Sequence, residues 1–350
     1  MTKTIYGFCL LTFLAMAQFA LGQVPEPMKN ITTPNVASLG TYGDTPVDMY
    51  TGQPNITVPL YDIVEGDMKI PLYLRYGLSE VKPNKHPSWV SMGWNLSCGG
   101  QITRAVRGCM DEKQCTNGSA PGFYAHSRKI KEITNLSALF AHQDYYVHDI
   151  EKDGYELSAD EFSFNFCGYS GRFYLNGDGE WTVISDDDIK VVFNEKGGFI
   201  TTNQLRKEIL TDTWTPKRYC NRFFNQFTLI TPDGTRYTFG GQYATEYSIP
   251  YYNQNNSDLT PTTWLLSKVE NTEGKVITLE YKAGTPVCEL KYTPWEYFKV
   301  NIVCSATNSD DQVGYNGLSG FLLFPVYLHK VTTTFVTVNF HTRQETGETK

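Results

Sequence analysis

The feature that most constrains this chain is a run of short segments between residues 160 and 202 in which apolar and polar side chains alternate. Phe162, Phe164 and Phe166, for example, alternate with Ser163 and Asn165. A two-residue period places successive side chains on opposite faces of a β-strand, so that one face can be buried. Turn-forming residues separate the segments at 168–171, 177–179, 186–188 and 195–198. Five short strands with such corners predict an antiparallel meander.

Similar patterns occur on both sides of this meander. Residues 50–61 and 70–76 predict a hairpin with one buried face, in which Pro59 and Pro71 lie at an edge or a bulge because proline cannot donate to a ladder. Further strands and hairpins are predicted at 101–106, 227–241, 264–281, 289–303 and 321–340. Aromatic residues make up 14% of the chain and charged residues only 19%. We therefore predict a mainly β fold, a large curved antiparallel sheet built of successive hairpins.

The first residues predict an export signal. A lysine precedes the apolar run 5–20, and the small residue Gly22 lies just before Gln23. This run is short for a membrane span and is followed by polar, proline-containing sequence; an uncleaved anchor is the alternative. Cleavage of residues 1–22 would place the chain in the periplasm, on the outer surface or outside the cell, with no membrane span left.

Three further regions are predicted after the signal. Residues 23–108 hold an extended segment, the hairpin and a segment rich in tryptophan and glycine. Residues 109–160 form a loop and helical insertion, since the apolar spacing within 125–141 predicts a short, partly helical excursion near 122–150. Residues 161–350 form the meander, continuous with the N-terminal part and truncated at its C-terminal end, because the last strand leaves an open sheet edge.

Residues 88–104, which we call the Trp/Gly segment, combine two large apolar side chains with three glycines. Each tryptophan would bury more than ~150 Å² if enclosed. Glycine is favoured where a chain turns tightly or passes close to another backbone. We predict that the segment joins the N-terminal hairpin to the sheet that follows and that both tryptophans are buried. Its structural residues are Trp89, Gly93, Trp94, Gly99, Gly100 and Arg104.

The chain has eight cysteines, and seven remain if Cys9 leaves with the signal. Cys109 and Cys115 could close a small loop, and Cys288 and Cys304 could pair across a hairpin. An oxidising compartment permits both disulfides, although sequence spacing establishes neither.

No motif selects a reaction, a cofactor or a metal. The chain lacks a nucleophile elbow, a phosphate-binding loop and a zinc-protease motif. Cys98 has the setting of a small buried apolar residue rather than of a nucleophile. His142, Asp144 and His148 could hold a metal if they lay on one strand, but a solvated loop is the simpler interpretation. Residues 176–180 resemble part of a calcium loop and fit a hairpin turn better, and 186–188 fit a solvated corner. The net charge of −7 argues against nucleic-acid binding.

Tyrosines concentrate in two loops, at 243–252 and around 315. Exposed tyrosines stack on sugars or dock peptides, but tyrosine is also a common packing residue in β proteins. Packing is the favoured interpretation. The candidate binding residues are Tyr247, Tyr251, Tyr252 and Tyr315.

A set of short motifs supports a resemblance to a known family. They are YTGQP at 50–54, SWV at 88–90, GWNL at 93–96, GG at 99–100, ITR at 102–104, DEFSFN at 160–165, GYSG at 168–171, DGTRYTFG at 233–240 and WLL at 264–266. Together they resemble the N-terminal region of bacterial secreted Rhs/YD-repeat proteins, and the 93–104 part is similar to the opening of toxin-complex shell subunits. The resemblance implies a β-rich hollow shell, often with a toxin domain at its C-terminus. This sequence contains no run of Tyr-Asp repeats, so what is implied is the leading, capping part of such a shell.

The expected function is therefore a non-enzymatic exported scaffold. The partners that the resemblance implies are further Rhs repeats, or a toxin or effector domain, in cis or in trans. One alternative is a surface module that binds a glycan or a peptide through the tyrosine-rich loops. A second alternative is a secreted hydrolase, which would need two close carboxylates with raised pKa values in a pocket.

Overall fold

A computed structural model describes residues 41–42, 45–46, 52–54, 56–78, 81–82, 85–113, 122–124, 127, 158–208, 220, 222–250, 259–292 and 318–341. The predicted signal 1–22 and nearly all of the helical excursion near 122–150 lie outside these residues. The chain divides into two compact units, Met1–Ile56 and Thr57–Lys350. No helix among the described residues has the length and apolar character that crossing a membrane requires.

The described part of the structure is mostly β. Its strands are β1 (Thr41–Tyr42), β2 (Thr45–Pro46), β3 (Ile56–Glu65), β4 (Met68–Tyr76), β5 (Trp94–Cys98), β6 (Gly100–Ala105), β7 (Glu161–Phe166), β8 (Tyr169–Leu175), β9 (Trp181–Ser185), β10 (Lys190–Val192), β11 (Phe199–Thr201), β12 (Arg222–Phe224), β13 (Gln226–Ile230), β14 (Arg236–Gly240), β15 (Thr245–Pro250), β16 (Thr260–Glu270), β17 (Val276–Ala283), β18 (Val287–Tyr292), β19 (Leu318–Phe324), β20 (Val326–Thr332) and β21 (Thr337–Asn339). Two short helical pieces are α1 (Glu195–Gly198) and α2 (Thr202–Glu208). In the first unit, β1 pairs with β2 in a two-residue ladder.

The long strand β16 organises the main sheet. Its N-terminal half pairs with β6 and β15, and its C-terminal half pairs with β14 and β17. One branch therefore runs β9-β8-β7-β6-β16-β15-β19-β18 and the other β10-β13-β14-β16-β17-β20-β21, which together make 14 strands. All the pairings are antiparallel and the sheet is not closed. The predicted large antiparallel sheet is confirmed.

The N-terminal hairpin is confirmed, with one correction. Strands β3, β4 and β5 form a separate three-stranded sheet, and β5 continues through Gly99 directly into β6 of the main sheet. The Trp/Gly segment thus joins the two sheets, as predicted. Ile63 and Ile70 are buried, but Val58 and Leu60 are 40% and 50% exposed. The first half of β3 therefore does not bury the apolar face that its alternation predicted.

The meander prediction is correct for the first three strands and wrong for the pairing of the next two, β10 and β11. Strands β7, β8 and β9 pair in succession, and Asn176 closes the β8–β9 turn by accepting from the backbone N–H groups of Asp178 and Glu180, both at 2.9 Å. Strand β10 instead pairs with β13 in the other branch, and β11 pairs with β12 outside the main sheet. The β7–β8 turn lies at Cys167 and Gly168 rather than at 168–171.

Aromatic rings from both branches fill the core. Phe162 and Phe173 stack at 5.1 Å between centroids, and Phe227 of the other branch lies 5.3 and 5.5 Å from them. Trp264 on β16 is fully buried, and its Nε1 donates to the backbone oxygen of Phe224 at 3.0 Å. The two branches therefore pack face to face where they meet at β16. Aromatic pairs at these separations add to the apolar burial that stabilises such a core.

Candidate functional site

Arg104 ends the Trp/Gly segment and is fully buried between two carboxylates. Its Nη1 and Nη2 donate to the two oxygens of Glu112 at 2.9 and 2.5 Å, and its Nε donates to Asp160 Oδ2 at 2.9 Å. None of the three side chains has exposed surface. The guanidinium carbon also lies 5.5 Å from the ring centre of Phe162 and 5.6 Å from that of Phe224. Burial opposes the charge of Arg104, but the two carboxylates outweigh that effect and raise its pKa.

Asp111 completes what we call the Arg104 cluster (Arg104, Asp111, Glu112 and Asp160). Asp160 accepts from the backbone N–H groups of Arg107 at 2.7 Å and of Asp111 at 3.1 Å, and its own N–H donates to Asp111 Oδ1 at 3.0 Å. Asp111 Oδ2 is buried without a hydrogen-bond partner. Burial, together with repulsion from Asp160, raises the pKa of Asp111 to about 8. Burial also raises the pKa of Asp160, against the attraction of Arg104.

Two carboxyl groups with raised pKa values could exchange protons with a substrate only if a substrate could reach them. Asp111 and Asp160 are both 0% exposed, and they do not line either of the two cavities described below. The Arg104 cluster therefore ties β6, the loop after it and the start of β7 together from inside the fold.

Two glycines of the Trp/Gly segment have backbone angles that favour glycine, and Gly100 also passes close to another backbone. A Cβ added to Gly99 would lie 2.2 Å from Cδ2 of Leu266 on β16, and one added to Gly100 would lie 2.2 Å from the backbone oxygen of Asn165 on β7. Both have positive φ angles, +78° and +113°. The chain can pass from the hairpin sheet into the main sheet here because neither position carries a side chain.

The prediction that Trp89 and Trp94 are both buried is wrong. Each is half-buried, and they have different partners: Trp89 lies 5.6 Å from the ring of Tyr327, whereas Trp94 lies 5.2 Å from that of Tyr76. Among the described tryptophans, the one with a fully buried indole is Trp264. Trp89 packs against the core as a partly buried residue.

A groove runs beside the Trp/Gly segment. Its volume is about 640 Å³, which falls within the range of small-molecule sites. Trp89 and Gly99 of the segment line it together with residues of β15, β17 and β20. The exposed side chains of Arg75 and His86 line its outer part. A smaller cavity of about 400 Å³ lies beside Arg107 and Tyr174.

Two cysteines line the groove as thiols. Burial raises the pKa of Cys98 to about 12, with a further contribution from Cys167, and burial raises the pKa of Cys167 to about 11. Cys167 has a φ of +45° in the β7–β8 turn, and its thiol donates to the oxygen of Gly99 at 3.5 Å. Both groups are protonated at neutral pH and are therefore poor nucleophiles, as expected for Cys98.

The remaining predicted binding and disulfide residues have mixed outcomes. Tyr247 is only 2% exposed and lies edge-on to Phe223 at 6.3 Å, so its interpretation as a ligand-binding residue is wrong, and packing is the correct alternative. Within the described ranges, no group of three His, Cys, Asp or Glu side chains is placed to hold a metal. Of the residues that the sequence analysis singled out, those that lie outside the described part are Tyr251, Tyr252, Tyr315, His142, Asp144, His148, Cys115 and Cys304. The disulfides predicted for Cys109 and Cys288 stay predictions, since their proposed partners are among these.

Sequence reasoning did not single out Glu246, which lines the groove, or Glu112, which pairs with Arg104. Glu246 lies in a segment read as a tyrosine-rich loop, and the structure makes most of that segment a strand, β15. Glu112 lies in a segment read as a polar loop. An acidic residue in a loop carries no sequence signal that distinguishes a buried ion pair from a solvated charge.

Comparison with known proteins finds no matching family model and no significantly similar curated protein. The solved structures that are similar include the following two. The crystal structure of TcdB2-TccC3 aligns with a TM-score of 0.33 and 12% identity, over 80% of this chain and 10% of that one. The N-terminal domain of the effector protein SpvB from Salmonella typhimurium strain LT2 aligns with a TM-score of 0.28 and 13% identity, over 79% and 63% of the two chains. The chain thus spans a tenth of the length of the first match, and neither alignment assigns a family.

Proposed function

We propose that this chain is an exported, non-enzymatic structural module, the leading and capping part of a β shell of the Rhs/YD-repeat kind. One observation carries the proposal: residues of the motifs that carry the sequence resemblance hold the main sheet together. Gly99 and Gly100 let the chain enter the sheet, Arg104 anchors β6 from inside, and Trp264 fills the point where the branches meet. Because these motif residues serve packing, they favour an architectural role for the chain over a catalytic one.

The chemistry of the buried acids also supports a structural role. A hydrolase would need carboxylates with raised pKa values that a substrate can reach. The raised pKa values of Asp111 and Asp160 come from their enclosure, and both groups hydrogen-bond to backbone amides of the same cluster. The alternative of glycan or peptide binding through tyrosine-rich loops no longer includes Tyr247.

Export is the part of the proposal that the N-terminal sequence supports. The apolar run 5–20 and the small residue Gly22 fit a cleaved signal. Cells producing the full chain should therefore contain a form that begins near Gln23, in the periplasm, on the surface or in the medium. Intact-mass measurement and fractionation test this, with Leu14→Lys in the apolar run as the variant expected to block processing. A chain that keeps Met1 and stays in the cytoplasm would remove export from the proposal.

The capping role requires assembly. The protein purified from its producing cells under native conditions should elute well above the mass of a 39.7 kDa chain and contain further β-shell repeats or a toxin or effector domain, in cis or in trans. Size-exclusion chromatography with light scattering, followed by mass spectrometry of the peak, measures this. A native species of one chain alone, with no further sequence attached, contradicts the capping role.

A further inference from the structure

The groove contains a carboxylate that has no cationic partner among the described residues. Glu246 lies on β15, is half-buried and lines the cavity. Its Oε1 accepts from the backbone N–H of Val326 at a long 3.4 Å, and the side chain of Thr263 on the neighbouring strand also hydrogen-bonds to it. Burial raises the pKa of Glu246, and these two hydrogen bonds oppose that shift only in part. A partly buried carboxylate with neutral donors alone is more stable when a cation is brought to it.

Three aromatic side chains share the groove with this carboxylate. Trp89, Tyr281 and Tyr327 line the same groove, and the rings of Trp89 and Tyr327 lie 5.6 Å apart at 33°. Tyr281 is fixed because its hydroxyl donates to the oxygen of Leu266 at 2.7 Å. Burial, followed by the charge of Glu246, raises the pKa of Tyr327. Aromatic faces beside an anion provide the two attractions that an organic cation uses, ion pairing and cation–π contact.

We propose that this groove binds an organic ammonium or guanidinium group, carried by a peptide side chain or by a free amine. Glu246 is the counter-ion, and Trp89 and Tyr327 are the aromatic walls. The volume of about 640 Å³ accommodates a side chain with its flanking peptide groups. The proposal goes beyond the structural role, because a shell module needs no small ligand. Its test is independent of the tests of export and assembly.

The outer part of the groove limits what the ligand carries. Arg75 and His86 are exposed there, and Glu289 is the other acidic residue that lines it. A second positive charge close to the first would approach Arg75, so the site favours a ligand with one cationic group over a polyamine. A peptide lysine or arginine satisfies this condition, since the atoms on either side of it are neutral amides.

Calorimetric titration of the full chain tests the proposal with defined probes. Nα-acetyl-lysine amide should bind, and its neutral isostere Nα-acetyl-norleucine amide should bind at least tenfold more weakly, because it cannot pair with Glu246. Glu246→Gln should weaken the lysine probe by about tenfold or more, and Trp89→Leu by about threefold or more. Tighter binding of the lysine amide than of n-pentylamine, a free amine with one charge, assigns the ligand to a peptide, and the reverse order assigns it to a free amine.

Trp94→Leu is the matched control, because Trp94 belongs to the same segment but contacts Tyr76 and does not line the groove. It should leave the affinity unchanged, and Arg75→Ala should leave it unchanged or increase it. Circular dichroism establishes folding, and Trp89→Leu decides the question if Glu246→Gln does not fold. No heat of binding for any cationic probe, equal affinity for norleucine amide, or equal losses in Trp89→Leu and Trp94→Leu would overturn the proposal.

Discussion

Replacing Arg104 by methionine tests whether the Arg104 cluster holds the fold. The change keeps an unbranched apolar stem and removes the guanidinium group with its charge and all its donors. Glu112 and Asp160, both without exposed surface, would then lose their cation. Removing one partner of a buried ion pair costs about 3–5 kcal/mol. Asp160 keeps two backbone donors, which lessens its loss, so we expect about 4 kcal/mol at pH 7 rather than the sum for two pairs.

The pH dependence of that loss identifies its cause. Without Arg104, the pKa of Asp160, which burial already raises, should rise further because the attraction of the guanidinium is lost. A carboxyl group with a raised pKa in the folded state stabilises the fold at low pH and loses that contribution as pH rises. The difference between the variant and the wild type should therefore shrink by about 1 kcal/mol or more between pH 7 and pH 5, where protonation neutralises the orphaned Asp160.

Urea unfolding followed by tryptophan fluorescence measures both quantities. Arg107→Met is the matched control. The side chain of Arg107 is 57% exposed and its Nη2 lies 3.3 Å from Glu161, so the variant should lose less than about 1 kcal/mol of stability at every pH. If Arg104→Met costs no more than this control, or if its cost is the same at pH 5 and pH 7, the cluster is not an electrostatic anchor of the sheet.

Three further predictions concern the same region. The pKa of Asp111, about 8, lies above its unfolded value, so the wild type should lose stability as pH rises. The free energy of unfolding of Asp111→Asn should therefore increase relative to that of the wild type by up to about 1.4 kcal/mol per pH unit between pH 5 and pH 7. A difference that does not change with pH would contradict this. Gly100→Ala should cost about 2 kcal/mol or more in thermal unfolding because its Cβ meets Asn165, whereas Gly168→Ala, with φ +93° but open space, should cost only about 1 kcal/mol; equal costs would refute the clash. Cys98 and Cys167 should react with iodoacetamide at pH 8 about 100-fold or more slowly than an exposed thiol, since their pKa values are about 12 and 11; rapid labelling of either in folded protein would refute this.

Local periodicity predicted most of the strands. The alternation of Phe162, Phe164 and Phe166 placed β7 correctly, and all three side chains are buried. Periodicity could not predict which strands pair, because pairing depends on residues far apart in sequence. It therefore missed the transfer of β10 to the other branch and the double pairing of β16.

The candidate site was less predictable than the fold. Gly99 and Gly100 were recognised because a glycine requirement is a local property of the backbone. Arg104 was placed in the structural segment, but its partners Glu112 and Asp160 lie 8 and 56 residues away, and only the three-dimensional fold brings them together. The size of Trp89 predicted burial, yet size does not determine which side of a sheet a residue covers.

Phe224 explains how the charged cluster and the aromatic core support one another. Its backbone N–H donates to Glu112 at 3.3 Å, and its backbone oxygen accepts from the indole of Trp264 at 3.0 Å. Its ring lies 5.6 Å from the guanidinium carbon of Arg104 and 5.5 Å from the ring of Phe227. Strand β12, which carries Phe224, does not belong to the main sheet, so the residue is held there by contacts to the cluster on one side and to β16 on the other. The ion pairs therefore help to position an aromatic side chain of the core where the two branches meet.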